Sequence, residues 1–331
     1  MQDQEHTLGH GGIFQLPEDR EPVPGWALDV SPDMVGLRLD AFICARIPRL
    51  SRSRAGRLRV IDLATKKPLK KSTTVVLGQK ILAIRPIPDQ HPDPAWSPSI
   101  IWENDAWCVL NKPPTLATHP SASYFRRTVS YWMRTQGYQH MQSVHRLDVE
   151  TSGILVCGKN PQSVKLGADA FASQEVDKRY LALVEGVVED DEWVAEMPLG
   201  FDPASRVPIK MGLGSLSATT RFQVRARGDR RTLVEAIPIG GRQHQIRIHA
   251  KLSGYPLVGD KLYGPSESFF LNRASDLNPE DLITLGHWRH ALHAYRISAQ
   301  FLPHSIEISP PKDWYNINGI PKFLLNAEDL K

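Results

Sequence analysis

Between Val144 and Asn160 the chain reads VHRLDVETSGILVCGKN, which sets His145, Arg146, Asp148, Glu150, Thr151 and Ser152 in one short polar stretch ahead of an apolar run. Loops carried on a rigid scaffold are where reactive groups are commonly presented. A carboxylate such as Asp148 can serve there as nucleophile or base, provided a cation keeps it ionised against burial. The same residues have a plain structural reading, with Asp148 capping a turn and Arg146 paired with Glu150 on the surface. The stretch by itself does not choose between the two.

His287, His290 and His293 in HWRHALHA, with His244 and His249 elsewhere, raise the question of a metal. Steps of three spread side chains over about a third of a helix and alternate faces on a strand, so neither geometry converges on one ion. No cysteine or carboxylate completes a motif there, and these are read as structural or RNA-facing histidines, with no metal expected. A metal-dependent hydrolase built on them would carry stoichiometric zinc or manganese. Cys44, Cys108 and Cys157 are odd in number, scattered and without C-x-x-C spacing, which fits small reduced core residues.

The elements that must position such groups can be traced by periodicity. Residues 1–30 show no sustained pattern and are read as an N-terminal extension. LRLDAFICARIPRLSRSRAGRL (37–58) gives one apolar helix face from Leu39, Phe42, Ile43 and Ile47, a break at Pro48, and Ser51 as N-cap of a second helix crowded by Arg52, Arg54, Arg57 and Arg59. TTVVLGQKILAI (73–84) reads as a small hairpin. RPIPDQHPDPAWSP (85–98) holds five prolines in 14 residues, as a stiff linker would. From residue 99 a mixed pattern follows: strands at 106–113, 153–159, 179–188, 219–227, 232–239 and 291–300, and helices at 126–136, 163–174 and 242–253. The expected organisation is an extension (1–30), a small basic domain (31–87), a linker (88–98) and a large domain (99–331).

Hydrophobic residues at 41% and charged residues at 23% fit a globular chain with a sizeable core and argue against a disordered or fibrous one. No apolar run approaches the roughly 20 residues that cross a bilayer, and the polar start lacks a signal pattern, so a cytoplasmic protein without membrane contact is expected. Charge is unevenly placed. Residues 36–86 hold 13 Lys/Arg against Asp40 and Asp62, a net +11, whereas the rest of the chain is −7. One short segment carrying the whole positive excess suits a module that neutralises phosphates, and a solvated face would mix its signs more evenly.

HRLDVETSG (145–153) resembles the signature of the RluA-type family of pseudouridine synthases. The resemblance runs in family order through IWENDAWCVLNKPPTL (101–116), KRYLALVEG (178–186), GRQHQIRIHA (241–250), GDKLYG (259–264) and ALHA (291–294). The basic segment in front resembles an S4-type RNA-binding module, although the usual glycine and V-N-G turn is replaced by VIDLATKKPLKK. The resemblance implies an α+β pseudouridine synthase fold with a mainly antiparallel mixed sheet behind a small α/β S4-like domain. It implies Asp148 as the essential carboxylate, Tyr180 against the bound base, Arg247 paired with Asp148, and Arg146 holding the base out of its stack. His145, Thr151, Lys112 and the arginines Arg52, Arg54 and Arg57 are expected to contact RNA. Leu147 and Gly153 look structural.

The chemistry asks for these types independently. Turning uridine into its C-glycoside breaks the bond from N1 to the sugar, rotates the uracil and joins C5 to the sugar, so a nucleophile or charge stabiliser must sit beside both. An arginine opposes the rise in pKa that burial gives the carboxylate. Flipping the base costs a few kcal/mol, offset by stacking on an aromatic. Taken without the family match, Tyr180 reads as a core aromatic and Arg247 as a solvated helix arginine. The expected activity is isomerisation of a uridine in structured RNA, large-subunit ribosomal RNA before transfer RNA, by a monomer that needs no cofactor. The rival is a non-catalytic RNA-binding or ribosome-assembly factor, against which intact Asp148, Tyr180 and Arg247 argue.

Overall fold

The computed structural model describes residues 10–14, 23–48, 50–85, 97–121, 124–273, 277–317 and 319. They form two compact units, one built on residues up to 85 together with 120–126 and 134–136, the other on the remainder from 97 onward. Most of the proline-rich linker, residues 86–96, lies outside the described residues, as do 1–9 and 15–22 of the extension and 274–276 of the polar insertion at 265–281.

In the first unit a four-stranded antiparallel sheet runs β1 (His10–Phe14), β2 (Val23–Asp29), β4 (Lys80–Ile84), β3 (Arg59–Asp62), with α1 (Leu39–Arg46) and the single turn α2 (Arg52–Ala55) beside it. The apolar helix face is as expected: Leu39, Phe42, Ile43 and Ile47 are buried with Leu28, Val60, Val75 and Ile81. Three expectations change. Val23–Asp29, placed in the extension, is a strand paired with β4. The hairpin at 73–84 is only its second half: β2 and β3 occupy both edges of β4, and 73–75 instead lie beside 37–39, with Thr74 bridged to Arg38. Gly78 turns the chain at φ +72°, and the Gln79 side chain accepts from the Val76 amide at 3.2 Å and donates to Asp62 at 2.7 Å. The basic second helix is one turn long, capped by Ser51 and ended at Gly56, so Arg57 follows it and Arg59 stands on β3.

The second unit is one ten-stranded sheet with helices around it. In chain order its elements are β5 (Ser99–Glu103), β6 (Trp107–Lys112), α3 (Val129–Thr135), β7 (Gln142–Ser143), β8 (Ser152–Gly158), α4 (Pro161–Ala172), β9 (Asp177–Glu185), β10 (Glu192–Glu196), the small hairpin β11 (Leu199–Phe201) and β12 (Met211–Leu213), β13 (Thr219–Arg227), β14 (Arg231–Ile239), α5 (Gln245–Leu252), α6 (Ser268–Arg273), α7 (Pro279–Leu285), β15 (Leu292–Ser298) and β16 (Ile306–Glu307). The order across the sheet is β10-β13-β14-β9-β15-β8-β6-β5, with β16 on β15 and β7 on β8. Between the named strands of this sheet the pairing is antiparallel except where β15 runs parallel to β8, at His293 opposite Ser152 and Ala294 opposite Gly153. That makes the fold α+β with a mixed, mainly antiparallel sheet.

Two local features hold the centre. Every residue of β8 is buried, and each fully buried Ile, Leu or Val there stabilises the fold by about 1.5–3 kcal/mol. Gly153 has φ +112°, and a Cβ on it would meet the Ala294 carbonyl oxygen at 2.2 Å, so only glycine lets β15 come this close. α4 starts from Asn160 and Ser163, whose side chains cap each other's backbone amides, with Pro161 in the first turn.

Candidate active site

The loop 144–151 leads into β8 and is held from behind. Thr118 grips Leu147 from both sides, its hydroxyl donating to the Leu147 carbonyl at 3.0 Å and accepting from the Leu147 amide at 3.1 Å. The Lys112 ammonium, completely buried, donates to the carbonyls of Pro113, Leu116 and Val149 at 2.8–3.2 Å. Thr151 closes the turn by donating its amide to the Asp148 carbonyl at 3.1 Å. Asp148 is thereby presented on a fixed backbone.

Across from it, β14 is followed by Gly240, whose φ of +88° turns the chain toward α5. Gln245 fastens this connection by donating to the carbonyls of Thr219 and Ile239 at 2.8 and 3.2 Å and accepting from the Arg242 amide at 2.9 Å. α5 then points Arg247 at Asp148, with Nη1 donating to Oδ2 at 2.9 Å. Behind Arg247 stands Asp260, 1% exposed, which accepts from Nε at 2.7 Å and Nη2 at 2.8 Å. Asp260 also accepts from the amides of Leu262 and Tyr263 at 3.0 Å, so its position is set by its own turn. The Tyr263 ring lies over the guanidinium, 5.1 Å from its carbon.

The electrostatics follow from this row of acid, guanidinium, acid. Burial alone would push the Asp148 carboxyl up, but His244 when charged, and Arg247 permanently, hold it well below the usual carboxylate range. Asp260 behaves likewise: burial opposes its charge and Arg247 overrides that opposition. Both acids are ionised at neutral pH. Burial moves the Tyr180 phenol up, and the nearby Asp148 charge adds to the shift, so Tyr180 stays protonated.

These groups open on one pocket of about 260 Å³, lined among others by Arg146, Asp148, Thr151, Lys178, Tyr180 and His244. Its volume is just below the roughly 300–1,000 Å³ of sites for drug-sized ligands and suits one nucleoside. Arg146 is exposed at its wall, and the Lys178 ammonium lies 5.8 Å from the centre of the Phe171 ring.

Asp148, Tyr180, Arg247, Arg146 and Thr151 are thus brought together, whereas His145 and Lys112 do not line this pocket. His145 turns away from the pocket: it stacks on Phe171 at 4.4 Å, and its Nε2 accepts from the Val156 amide at 3.0 Å. Burial takes that imidazole down to about 3, so it is a neutral brace for β8. Lys112 is consumed by three carbonyls and has no free donor direction toward RNA. Arg52, Arg54 and Arg57 are exposed but belong to the first unit. The histidines are individually engaged as well: Thr151 Oγ1 lies 2.8 Å from His290 Nε2, Ser152 Oγ 2.9 Å from His293 Nδ1, and His287 Nε2 3.2 Å from Asp313. Glu150 joins this layer, accepting from the His290 amide at 3.2 Å and pairing with Lys261.

Asp260 and His244 stand in direct contact with or close to the Asp148–Arg247 pair, and neither carries a catalytic or positioning expectation from the sequence. Asp260 lies within GDKLYG, a stretch that carried the resemblance but no role. His244 is read from the sequence only as one of several structural or RNA-facing histidines. Its backbone is left-handed at φ 55°, its Nδ1 lies 2.9 Å from the Tyr263 hydroxyl, and its Nε2 lies 3.8 Å from Asp148 Oδ2.

Residues 106–252 match the family model of RNA pseudouridylate synthase. The chain is 31% identical over 243 residues to the dual-specificity RNA pseudouridine synthase RluA of Vibrio vulnificus, covering 70% of this chain and 96% of that one. It is 31% identical over 287 residues to the ribosomal large subunit pseudouridine synthase D of Neisseria meningitidis, covering 82% and 74%. The solved structure of human RNA pseudouridylate synthase domain containing 1 superposes with a TM-score of 0.53 at 23% identity over 67% of this chain and 86% of that one, a likeness of fold. By sequence, fold and family match, this chain belongs to the RluA-type family of RNA pseudouridine synthases.

Proposed function

We propose that the chain isomerises a uridine of large-subunit ribosomal RNA, with Asp148 as the catalytic carboxylate, Tyr180 as the surface on which the flipped uracil rests and Arg247 as the group that keeps Asp148 charged and aimed. The observation that carries this reading is the 2.9 Å pair between Arg247 and Asp148 inside a pocket of nucleoside size. Attack on the uracil ring, attack at C1′ and removal of the C2′ proton all ask for one unprotonated carboxylate beside both base and sugar. The ion pair supplies that carboxylate. Arg146 at the pocket wall is suited to fill the gap that the extruded base leaves.

The choice of RNA rests on how far the relatives match. The alignment with large subunit synthase D takes in 82% of the chain, more than residues 99–331 alone contain, so it reaches into the basic N-terminal unit. The alignment with the dual-specificity relative takes in 70%, which the second unit can supply by itself. We read the first unit as an S4-like anchor in which Arg52, Arg54 and Arg57 neutralise phosphates. The test is mass-spectrometric pseudouridine mapping of ribosomal and transfer RNA from cells lacking the protein, rescued with wild type or Asp148→Asn. A ribosomal site restored only by wild type is the expected result. A lost site in transfer RNA would move the substrate, and rescue by Asp148→Asn would remove Asp148 from the chemistry.

A further inference from the structure

Among the described residues, one donor beside Asp148 has no hydrogen-bond partner, the Nε2–H of His244. The Tyr263 hydroxyl accepts from the Met211 amide at 2.8 Å, so its own proton must go elsewhere. His244 Nδ1, at 2.9 Å, is its other hydrogen-bonding neighbour among the described residues. A hydroxyl has one proton to give, and the arrangement that satisfies all three groups has Met211 N–H donating to Tyr263, and Tyr263 O–H donating to Nδ1. The ring's proton then sits on Nε2. This side chain is only 7% exposed, and Nε2 lies 3.8 Å from Asp148 Oδ2, beyond hydrogen-bond reach, in the wall of the pocket. Gln245 and the left-handed backbone at His244 hold the ring there. Burial takes the imidazole down to about 4, so the donor is uncharged at neutral pH.

We propose that His244 contacts the substrate directly, its Nε2–H donating to whichever carbonyl oxygen of the uracil ring faces it. This rests on the reading that the pocket takes the target uridine beside Asp148. The chemistry of the base suits a fixed neutral donor. Moving C5 into the place of N1 amounts to a half-turn of the ring about the axis through N3 and C6, and that turn exchanges O2 with O4. One immobile N–H therefore meets a carbonyl oxygen before and after the rotation. While the ring is detached from the sugar its negative charge is shared between those two oxygens, which is where a preorganised donor acts most strongly. A cytosine in the same orientation would present its amino group to the N–H for one of the two settings, leaving donor against donor.

The experiment uses the stem-loop that pseudouridine mapping assigns, synthesised with uridine, 2-thiouridine or 4-thiouridine at the target, because a thiocarbonyl is a poorer acceptor. Full-length wild type, His244→Asn, His244→Gln and Asp148→Asn are compared in single-turnover rate and RNA affinity. Asn tolerates the left-handed backbone but cannot reach the Nε2 position, whereas the Gln amide nitrogen can. Losing one neutral hydrogen bond corresponds to about a tenfold drop. Accordingly wild type slows about tenfold on at least one thio substrate, and His244→Asn slows about tenfold on uridine with RNA affinity within about twofold. His244→Asn then shows little further loss on that thio substrate, and His244→Gln stays within about threefold of wild type. If His244→Asn matches wild type on uridine, or pays the same thio penalty, the proposal is wrong. Should His244→Asn not fold, folded His244→Gln decides: activity near wild type that keeps the thio penalty supports the contact, and a full loss overturns it. Inactive Asp148→Asn beside an unaffected His244→Asn would sink this inference alone, whereas active Asp148→Asn would sink the reading beneath it.

Discussion

Asp260→Asn separates the two tasks of Arg247, being buried and being aimed. The native Asp260 Oδ1 accepts from Arg247 Nη2 and the amides of Leu262 and Tyr263, and Oδ2 accepts from Arg247 Nε. An Asn oxygen at Oδ1 keeps three of these bonds. Its NH2 then faces the Nε–H, donor against donor, in a place without water access. The loss is one charge-assisted hydrogen bond, about 1.5–3 kcal/mol, plus the cost of an unsatisfied buried donor, about 1–3 kcal/mol. Arg247 still has Asp148, so the total should fall near the low end of a broken buried pair, about 3 kcal/mol. The guanidinium, now held on that side by Nη2 alone, turns off the line to Asp148, and a displacement of about 1 Å costs about 10- to 100-fold in the chemical step, with RNA affinity little changed. Urea unfolding at constant slope measures the first quantity and single-turnover kinetics on the mapped RNA the second. A stability loss under about 1 kcal/mol together with a rate within about threefold of wild type would refute the argument that Asp260 positions Arg247.

Two further expectations concern other parts of the chain. Arg52, Arg54 and Arg57 are exposed, so replacing all three with Gln should leave the fold intact, weaken RNA binding and flatten its dependence on salt by about 0.7–0.9 in logarithmic slope per lost phosphate contact; an unchanged slope would remove them as the anchor. Stability should fall on acidification: His293, 1% exposed, is held at about 3 in the folded chain against about 6.5 unfolded. The unfolded chain therefore takes up the proton first, and the stability due to His293 is lost progressively from about pH 6.5 down to about pH 3, amounting to about 2 kcal/mol between pH 7 and 5. Glu150 and Asp313, both held at about 2, extend the decline below the ordinary carboxylate range. Chemical unfolding at a series of pH values checks this, and a flat profile between pH 7 and 5 would contradict a buried neutral His293.

The sequence by itself determined the elements whose pattern is local and the residues whose types are chemically rare in combination. Thr219–Arg227 alternates cleanly and is a strand over those residues; the apolar face of α1 and the stop of α5 before Gly254 are equally plain. HRLDVETSG by itself left Asp148 open between a turn cap and a reactive carboxylate, and the ordered resemblance of the stretches around it favoured the second. Tertiary structure decided everything that depends on partners far apart in the chain. Arg247 and Asp148 are separated by 99 positions, and nothing in a helix period tells which way an arginine on α5 will face. Asp260 comes to stand behind Arg247, and His145 and Lys112 are drawn inward, through contacts that appear only once the loop from 259 to 264 packs on α5, His145 meets α4 and β8, and Lys112 reaches the carbonyls of Pro113, Leu116 and Val149. The same holds for Val23–Asp29, a strand because β4 offers it an edge: pairing is a property of two segments, and the pattern of one cannot reveal it.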